Sequence, residues 1–276
     1  MKIKFGVILH SKSLTPSFQN IRQMALKADE LGFHSLWASD HLMHPFPVEG
    51  KPMHYCYEAW TLMSALAAIT KNVRLGFCVL IPAFRYPSVL AKMAATLDEI
   101  SDGRLIMAVG AGWFKQEYEA YDIPWEEHDQ RIEREKEAVL VMKALWTQSV
   151  ANFRGKYYNI KEAVMEPKPI QKPHPPIWIG GNSIRSIELA AELAQGWFSR
   201  PSPPEKLKID IDFIKKITND KSMDYAIIIE EPSLDKPNES ISKIQEYAKA
   251  GATLITIPFS KTTNLELFSK NVIPTL

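Results

Sequence analysis

Two ionisable residues stand side by side where an apolar segment stops: Asp40-His41, in LGFHSLWASDHLMHP over 31–45. A carboxylate next to an imidazole can do acid–base chemistry near neutral pH, with His41 exchanging the proton and Asp40 orienting it or binding a donor on a ligand. A surface turn capped by Asp40 is the simpler use of the same pair. Gly180-Gly181-Asn182-Ser183 lies between an apolar run and a helical pattern. Glycines let a backbone approach an anion closely, and a helix N-terminus offers free N–H groups at its positive end, so this stretch suits a phosphate. A tight turn with Asn182 or Ser183 as helix cap is the alternative. Gly110-Ala111-Gly112 matches part of a dinucleotide fingerprint, but Lys115 occupies the place of the third glycine. Trp113 follows that loop and could wall a pocket. His41, His44, His54 and Cys56 could ligate a metal, although their spacing fits no standard zinc pattern.

These residues need elements to hold them. Compact apolar runs predict strands at Ile3–Leu9, Phe33–Ser39, Val73–Leu80, Arg104–Val109, Ile177–Ile179, Gly196–Phe198, Tyr225–Ile229 and Thr253–Ile257. Helical patterns separate them. One begins at Thr15-Pro16-Ser17, with Thr15 as N-cap, and carries Ile21, Met24, Ala25, Ala28 and Leu31 before Gly32 turns it off. Others cover Glu58–Thr70, Tyr86–Ile100, Lys115–Tyr121, Glu127–Trp146, Ile184–Ala194, a stretch after Pro203-Pro204, Asn238–Ala250 and Leu265–Val272. In Tyr86–Ile100, Val89, Leu90, Met93, Ala94, Leu97 and Ile100 share one side. Trp37, Trp60, Trp178 and Trp197 suit core positions, and the charged run Glu205–Lys221 suits a solvated helix face.

Eight strand–helix alternations with continuous apolar strands predict a parallel sheet covered on both faces. At 276 residues the expectation is one (β/α)₈ barrel domain over 1–276, with an inserted segment at about 147–176 before the fifth strand and a small hairpin around Arg154-Gly155-Lys156. The loops after the strands would then share a face carrying His10, Asp40-His41, Cys78-Val79-Leu80, Gly110 to Trp113, Gly180 to Asn182 and Ser199-Arg200.

Composition narrows the partners. A formal net charge of +1 leaves no excess of positive charge for a phosphate backbone, which argues against nucleic acid. Two cysteines, Cys56 and Cys78, make no disulfide framework and suit a reducing cytoplasm. The basic N-terminus has too short an apolar run for a signal peptide, and no window is long enough to span a bilayer.

Several segments together resemble the bacterial-luciferase-like family of flavin and deazaflavin oxidoreductases. They are LGFHSLWASDH, RLGFCVLIPAFRYPSVLAKMAATLDEISDGRLIMAVGAGW, EYEAYDIP, and EPKPIQKPHPPIWIGGNS with the later GWF. They cover most of 1–200 in the family's order; beyond Arg200 the match is to a generic barrel. The resemblance implies a luciferase-like (β/α)₈ barrel that binds coenzyme F-420 (a 5-deazaflavin) or FMN. It implies that His41 is the catalytic proton donor or acceptor and that Asp40 and His41 contact the cofactor. Cys78-Val79 falls where the family's bulged third strand often has a non-proline cis peptide behind the ring. Gly180, Gly181 and Asn182 would hold the cofactor's phosphate, with Gly110 and Gly112 as further cofactor contacts and Trp113 and His44 in the substrate pocket. Gln116 sits where some deazaflavin members carry an amide. Trp113 stands where several deazaflavin dehydrogenases carry a catalytic glutamate, which argues against their sugar-phosphate mechanism here.

The expectation drawn from this is hydride transfer between coenzyme F-420 and a small organic substrate. The rival is an FMN-dependent monooxygenase that takes reduced flavin from a separate reductase and uses oxygen. A rival of another class is a non-catalytic flavin-binding protein. The resemblance also implies a homodimer.

Overall fold

The computed structural model describes residues 3–9, 17–45, 56–219 and 222–276. Ten strands run in chain order: β1 (Lys4–Ile8), β2 (Ser35–Ala38), β3 (Arg74–Phe77), β4 (Met107–Val109), β5 (Ala151–Arg154), β6 (Asn159–Ala163), β7 (Ile177–Gly180), β8 (Gly196–Ser199), β9 (Asp224–Ile228) and β10 (Leu254–Ile257). Eight of them form one parallel sheet in the order β3-β2-β1-β10-β9-β8-β7-β4. Parallel bridges Leu75–Leu105 and Leu80–Val109 bring β3 against β4 and close the ring. The helices are α1 (Phe18–Glu30), α2 (Ala59–Ala67), α3 (Pro87–Ile100), α4 (Lys115–Ala120), α5 (His128–Thr147), α6 (Ile184–Leu193), α7 (Pro204–Thr218), α8 (Pro237–Lys249) and α9 (Thr262–Asn271). The predicted (β/α)₈ barrel is the fold observed.

Every residue of β2, β7, β8 and β10 is buried, which is why these strands read as unbroken apolar runs. Successive side chains alternate between two cores. Val7 and Leu36 face the helices, while Ile8, Trp37, Ile106, Ala108, Trp178, Phe198, Ala226 and Leu254 fill the barrel interior. Trp37 anchors that interior, 5.4 Å from the Trp178 ring and 4.9 Å from Phe198. All four tryptophans read as core are buried.

Several predicted bounds move, each for a local reason. Thr15 and Pro16 lie outside the described residues; Ser17 caps α1, its Oγ accepting from Gln19 N. Glu58 is the N-cap of α2 rather than its first residue, with its carboxylate accepting from Trp60 N and Thr61 N. That helix stops at Ala67 instead of Thr70. Arg104 takes the carbonyls of Ala67, Thr70 and Val73, so the chain turns toward β3 with its acceptors satisfied. On α3, Val89 and Ile100 are exposed, and the buried side is built from Leu90, Ala91, Ala94, Ala95 and Leu97. Small alanines there let α3 approach α5 closely enough for Trp146 Nε1 to donate to Ala91 O at 2.9 Å. The insertion contains the expected hairpin, β5 against β6, and Glu137 of α5 holds its turn by accepting from the backbone N–H groups of Lys156, Tyr157 and Tyr158.

Candidate active site

β2 ends by delivering Asp40 and His41 to the C-terminal face of the barrel. Asp40 is buried, and its carboxylate accepts from Ile81 N at 2.9 Å and from both terminal nitrogens of Arg85, at 2.7 and 2.8 Å. Arg85 also reaches Glu58 Oε1 at 2.5 Å. Burial pushes the Asp40 carboxyl above its ordinary range, and the Arg85 guanidinium opposes that push. Asp40 therefore ties the ends of β2 and β3 together and does not orient His41, which corrects the first reading of the pair. The carboxylate at His41 belongs to Glu117 of α4. Its Oε2 lies 3.0 Å from His41 Nδ1, while Oε1 accepts from Leu42 N at 2.5 Å and Met43 N at 3.0 Å. The His41 ring stands edge-on to Trp113, 5.9 Å between centroids.

β3 runs into a cis peptide at Cys78-Val79, at the position where the family resemblance put one. Cys78 is partly buried at the cleft wall, and its apolar surroundings push the thiol up to about 12, which favours a neutral wall over a thiolate. Val79 projects between two glycines. A Cβ on Gly110 would come within 2.6 Å of Val79 Cγ2, and one on Gly180 within 2.8 Å of Cγ1. The glycines at the ends of β4 and β7 are thus required by the valine that packs between them. Gly181 follows with φ of +120°, a conformation that side-chain-bearing residues rarely adopt.

The turn after β7 is fixed from both sides. Asn182 Nδ2 donates to Ser199 Oγ at 3.0 Å, and its Oδ1 accepts from Arg200 N at 2.8 Å, which binds it to the end of β8. Ser183 caps α6, accepting from Ser186 N at 3.1 Å. The capped N-terminus of α6 lines the same cleft as Arg131 and His128 at the start of α5. Arg131 is held flat over the Trp125 ring at 3.8 Å, and Arg200 lies over Trp113 at 5.2 Å.

One cleft collects these groups. Its empty space, including the part open to solvent, is about 940 Å³. Asp40, His41, Cys78, Val79, Gly110, Gly112, Trp113, Gly180, Gly181 and Asn182 all line it. His44 is not among the residues lining it, and His10 and His54 lie outside the described residues. Glu117, Arg131 and His128 were not singled out from the sequence. Glu117 had no local signal, because its partners are 74–76 residues away. Arg131 and His128 looked like ordinary charges at the start of an amphipathic helix. Among the described residues, no group of three or more His, Cys, Asp or Glu is placed to hold a metal ion, and no helix is long and apolar enough to cross a membrane.

The residues fit a flat, phosphorylated ligand. Val79 and the glycines beside it leave a smooth floor, and the α6 N-terminus with Arg131 nearby offers donors and positive charge for an anion.

The chain belongs to the luciferase-like monooxygenase family, whose model matches residues 2–231. It is 34% identical over 159 residues to an FMNH(2)-dependent dimethylsulfone monooxygenase of Pseudomonas putida, covering 58% of this chain and 44% of that protein. It is 33% identical over 198 residues to an F-420-dependent glucose-6-phosphate dehydrogenase of Microbacterium testaceum, covering 71% of this chain and 56% of that one. The chain thus spans about half the length of these curated relatives. Its fold also matches that of an F-420-dependent secondary alcohol dehydrogenase solved with an F-420–acetone adduct, with a TM-score of 0.85, 21% identity, and 99% and 98% of the two chains covered.

Proposed function

We propose that this chain is a flavin-type oxidoreductase that binds coenzyme F-420 and moves a hydride between it and a small organic substrate. The observation that carries this reading is a single cleft lined by the Gly180-Gly181-Asn182-Ser183 turn at the head of α6 together with Cys78-Val79 and His41. When bound, the deazaflavin supplies the hydride chemistry. The protein's part is to seat, orient and exchange a proton. The α6 N-terminus and Arg131 bind the phosphate, and Cys78-Val79 supports the ring. His41 gives or takes the proton that accompanies hydride transfer, at the nitrogen not occupied by Glu117. Trp113 and Arg200 border the substrate's side. With tryptophan at 113, no carboxylic acid follows the Gly110-Ala111-Gly112 loop directly, which favours a substrate other than a sugar phosphate.

FMNH(2)-dependent relatives match 58% and 70% of this chain and an F-420-dependent one 71%, so coverage does not separate the two cofactors and direct binding must. Equilibrium binding of purified F-420 and FMN to the chain, followed by absorbance, tests the choice. Tighter binding of F-420 is the expected result. Preference for FMN together with oxygen-dependent turnover would overturn it in favour of the monooxygenase.

A further inference from the structure

Glu117 is fully buried, yet its carboxylate is saturated. Two backbone N–H groups, from Leu42 and Met43, converge on Oε1, and His41 Nδ1 lies against Oε2. When Glu117 is ionised, both its oxygens only accept, and the proton shared with Oε2 then belongs to the imidazole. The two backbone contacts lock the carboxylate's rotation, and the third then dictates which ring nitrogen carries hydrogen. The same carboxylate fixes the His41–Met43 backbone, and Tyr121, from the end of α4, adds a bond from its hydroxyl to Leu42 O at 3.0 Å.

We infer that Glu117 is the positioning residue of this site: it holds the proton on His41 Nδ1, so that Nε2 is the bare nitrogen presented to the reacting group. The tautomer assignment rests on this contact with Glu117 ionised; its catalytic consequence rests on the proton-transfer role proposed above for His41. Glu117 itself touches neither cofactor nor substrate and acts through the imidazole.

The glutamine isostere makes the inference sharp. In Glu117→Gln the amide oxygen can still accept from Leu42 and Met43, which leaves the NH₂ group facing His41. That group donates, so Nδ1 must become the acceptor and the ring proton must move to Nε2. The experiment is two-bond ¹H–¹⁵N correlation on histidine-labelled chain without added cofactor, in alkaline buffer, with the His41 signals assigned by their loss in His41→Ala. The wild type is expected to show a protonated Nδ1 and a bare Nε2, Glu117→Gln the reverse, and Glu117→Asp the wild-type pattern. Turnover of Glu117→Gln should fall on the order of 10²-fold with KM little changed. A wild-type His41 protonated on Nε2, or a Gln variant that keeps the wild-type tautomer, would overturn the inference. An inverted tautomer with undiminished turnover would leave Glu117's role standing and reject proton transfer by His41. Should Glu117→Gln fail to fold, the wild-type spectrum decides the tautomer alone.

Discussion

Arg85 meets Asp40 end-on, Nη1 to Oδ2 at 2.7 Å and Nη2 to Oδ1 at 2.8 Å, and the two side chains keep only 14% and 1% of their exposure. The pair joins the end of β2 to the turn after β3, directly beside His41 and the Cys78-Val79 peptide. Arg85→Ala would leave a buried carboxylate whose upward push from burial is opposed only by the Ile81 N–H, a loss of about 3–5 kcal/mol for a broken buried pair. Asp40→Asn with Arg85→Met removes both charges and should be markedly less damaging than Arg85→Ala. Urea unfolding of the variants checks this ordering. If Arg85→Ala unfolds at the wild-type midpoint, the pair does not hold the two strand ends together.

His41 separates an enzyme from a carrier. As a proton donor or acceptor, its loss in His41→Ala should lower turnover roughly 10²- to 10⁴-fold while cofactor affinity stays within a few-fold. Titrating the variant with F-420 and then measuring turnover on the same preparation gives both numbers. A variant that binds and functions like the wild type would place the chain among non-catalytic flavin-binding proteins.

Elements whose physics is local could be read from the sequence, and long-range partners could not. The strands followed from continuous apolar runs because both sheet faces are covered, and Gly32 marked a helix exit with φ of +73°. The cleft could be anticipated because barrel topology alone places the ends of β2, β3, β4 and β7 on one face. What stayed hidden was which charge meets which. Asp40-His41 looked like a pair because the two are adjacent, yet both lie past the end of β2, where the chain sends their side chains to different partners. Asp40 turns to Arg85, 45 residues on, and His41 to Glu117, 76 residues on. Glu58 looked helical and proved to be a cap whose carboxylate also reaches Arg85.

Glu135 gives the protein a pH dependence of stability separate from its chemistry. It lies inside α5, fully buried, with neither carboxyl oxygen hydrogen-bonded among the described residues, and burial raises it from 4.5 to about 8. The folded chain therefore keeps a proton there that the unfolded chain releases from about pH 4.5. Its contribution is fully present below that pH, declines as pH rises toward 8, and is gone above it. Glu135→Gln retains the shape without the ionisation. The stability difference between variant and wild type should grow by a few kcal/mol in the variant's favour between pH 5 and 8, about 1.4 kcal/mol per pH unit at most. Denaturant midpoints at the two pH values measure it; a constant difference would mean Glu135 ionises normally in the folded chain.

Val79 and the glycines flanking it allow the cleft floor to be tested by compensation. Gly180→Ala puts a methyl carbon 2.8 Å from Val79 Cγ1 and 3.0 Å from Cγ2, closer than real contacts allow, while Val79 Cβ sits at an ordinary 3.4 Å. The valine must move, and because it lies between Gly110 and Gly180 its movement reshapes the floor beneath a bound ring. Gly180→Ala alone should lose about 1–3 kcal/mol from overpacking and weaken cofactor binding. Val79→Ala alone removes the two Cγ atoms and leaves a small void. Combined, the added and removed methyl groups occupy neighbouring space, so the double variant should regain part of both losses. The coupling would be favourable by about 0.5 kcal/mol or more. Unfolding free energies of the four-member cycle, with cofactor affinities measured on the same proteins, provide the check. Strict additivity would show that Gly180 is glycine for its backbone alone, and that Val79 is not what forbids a side chain there.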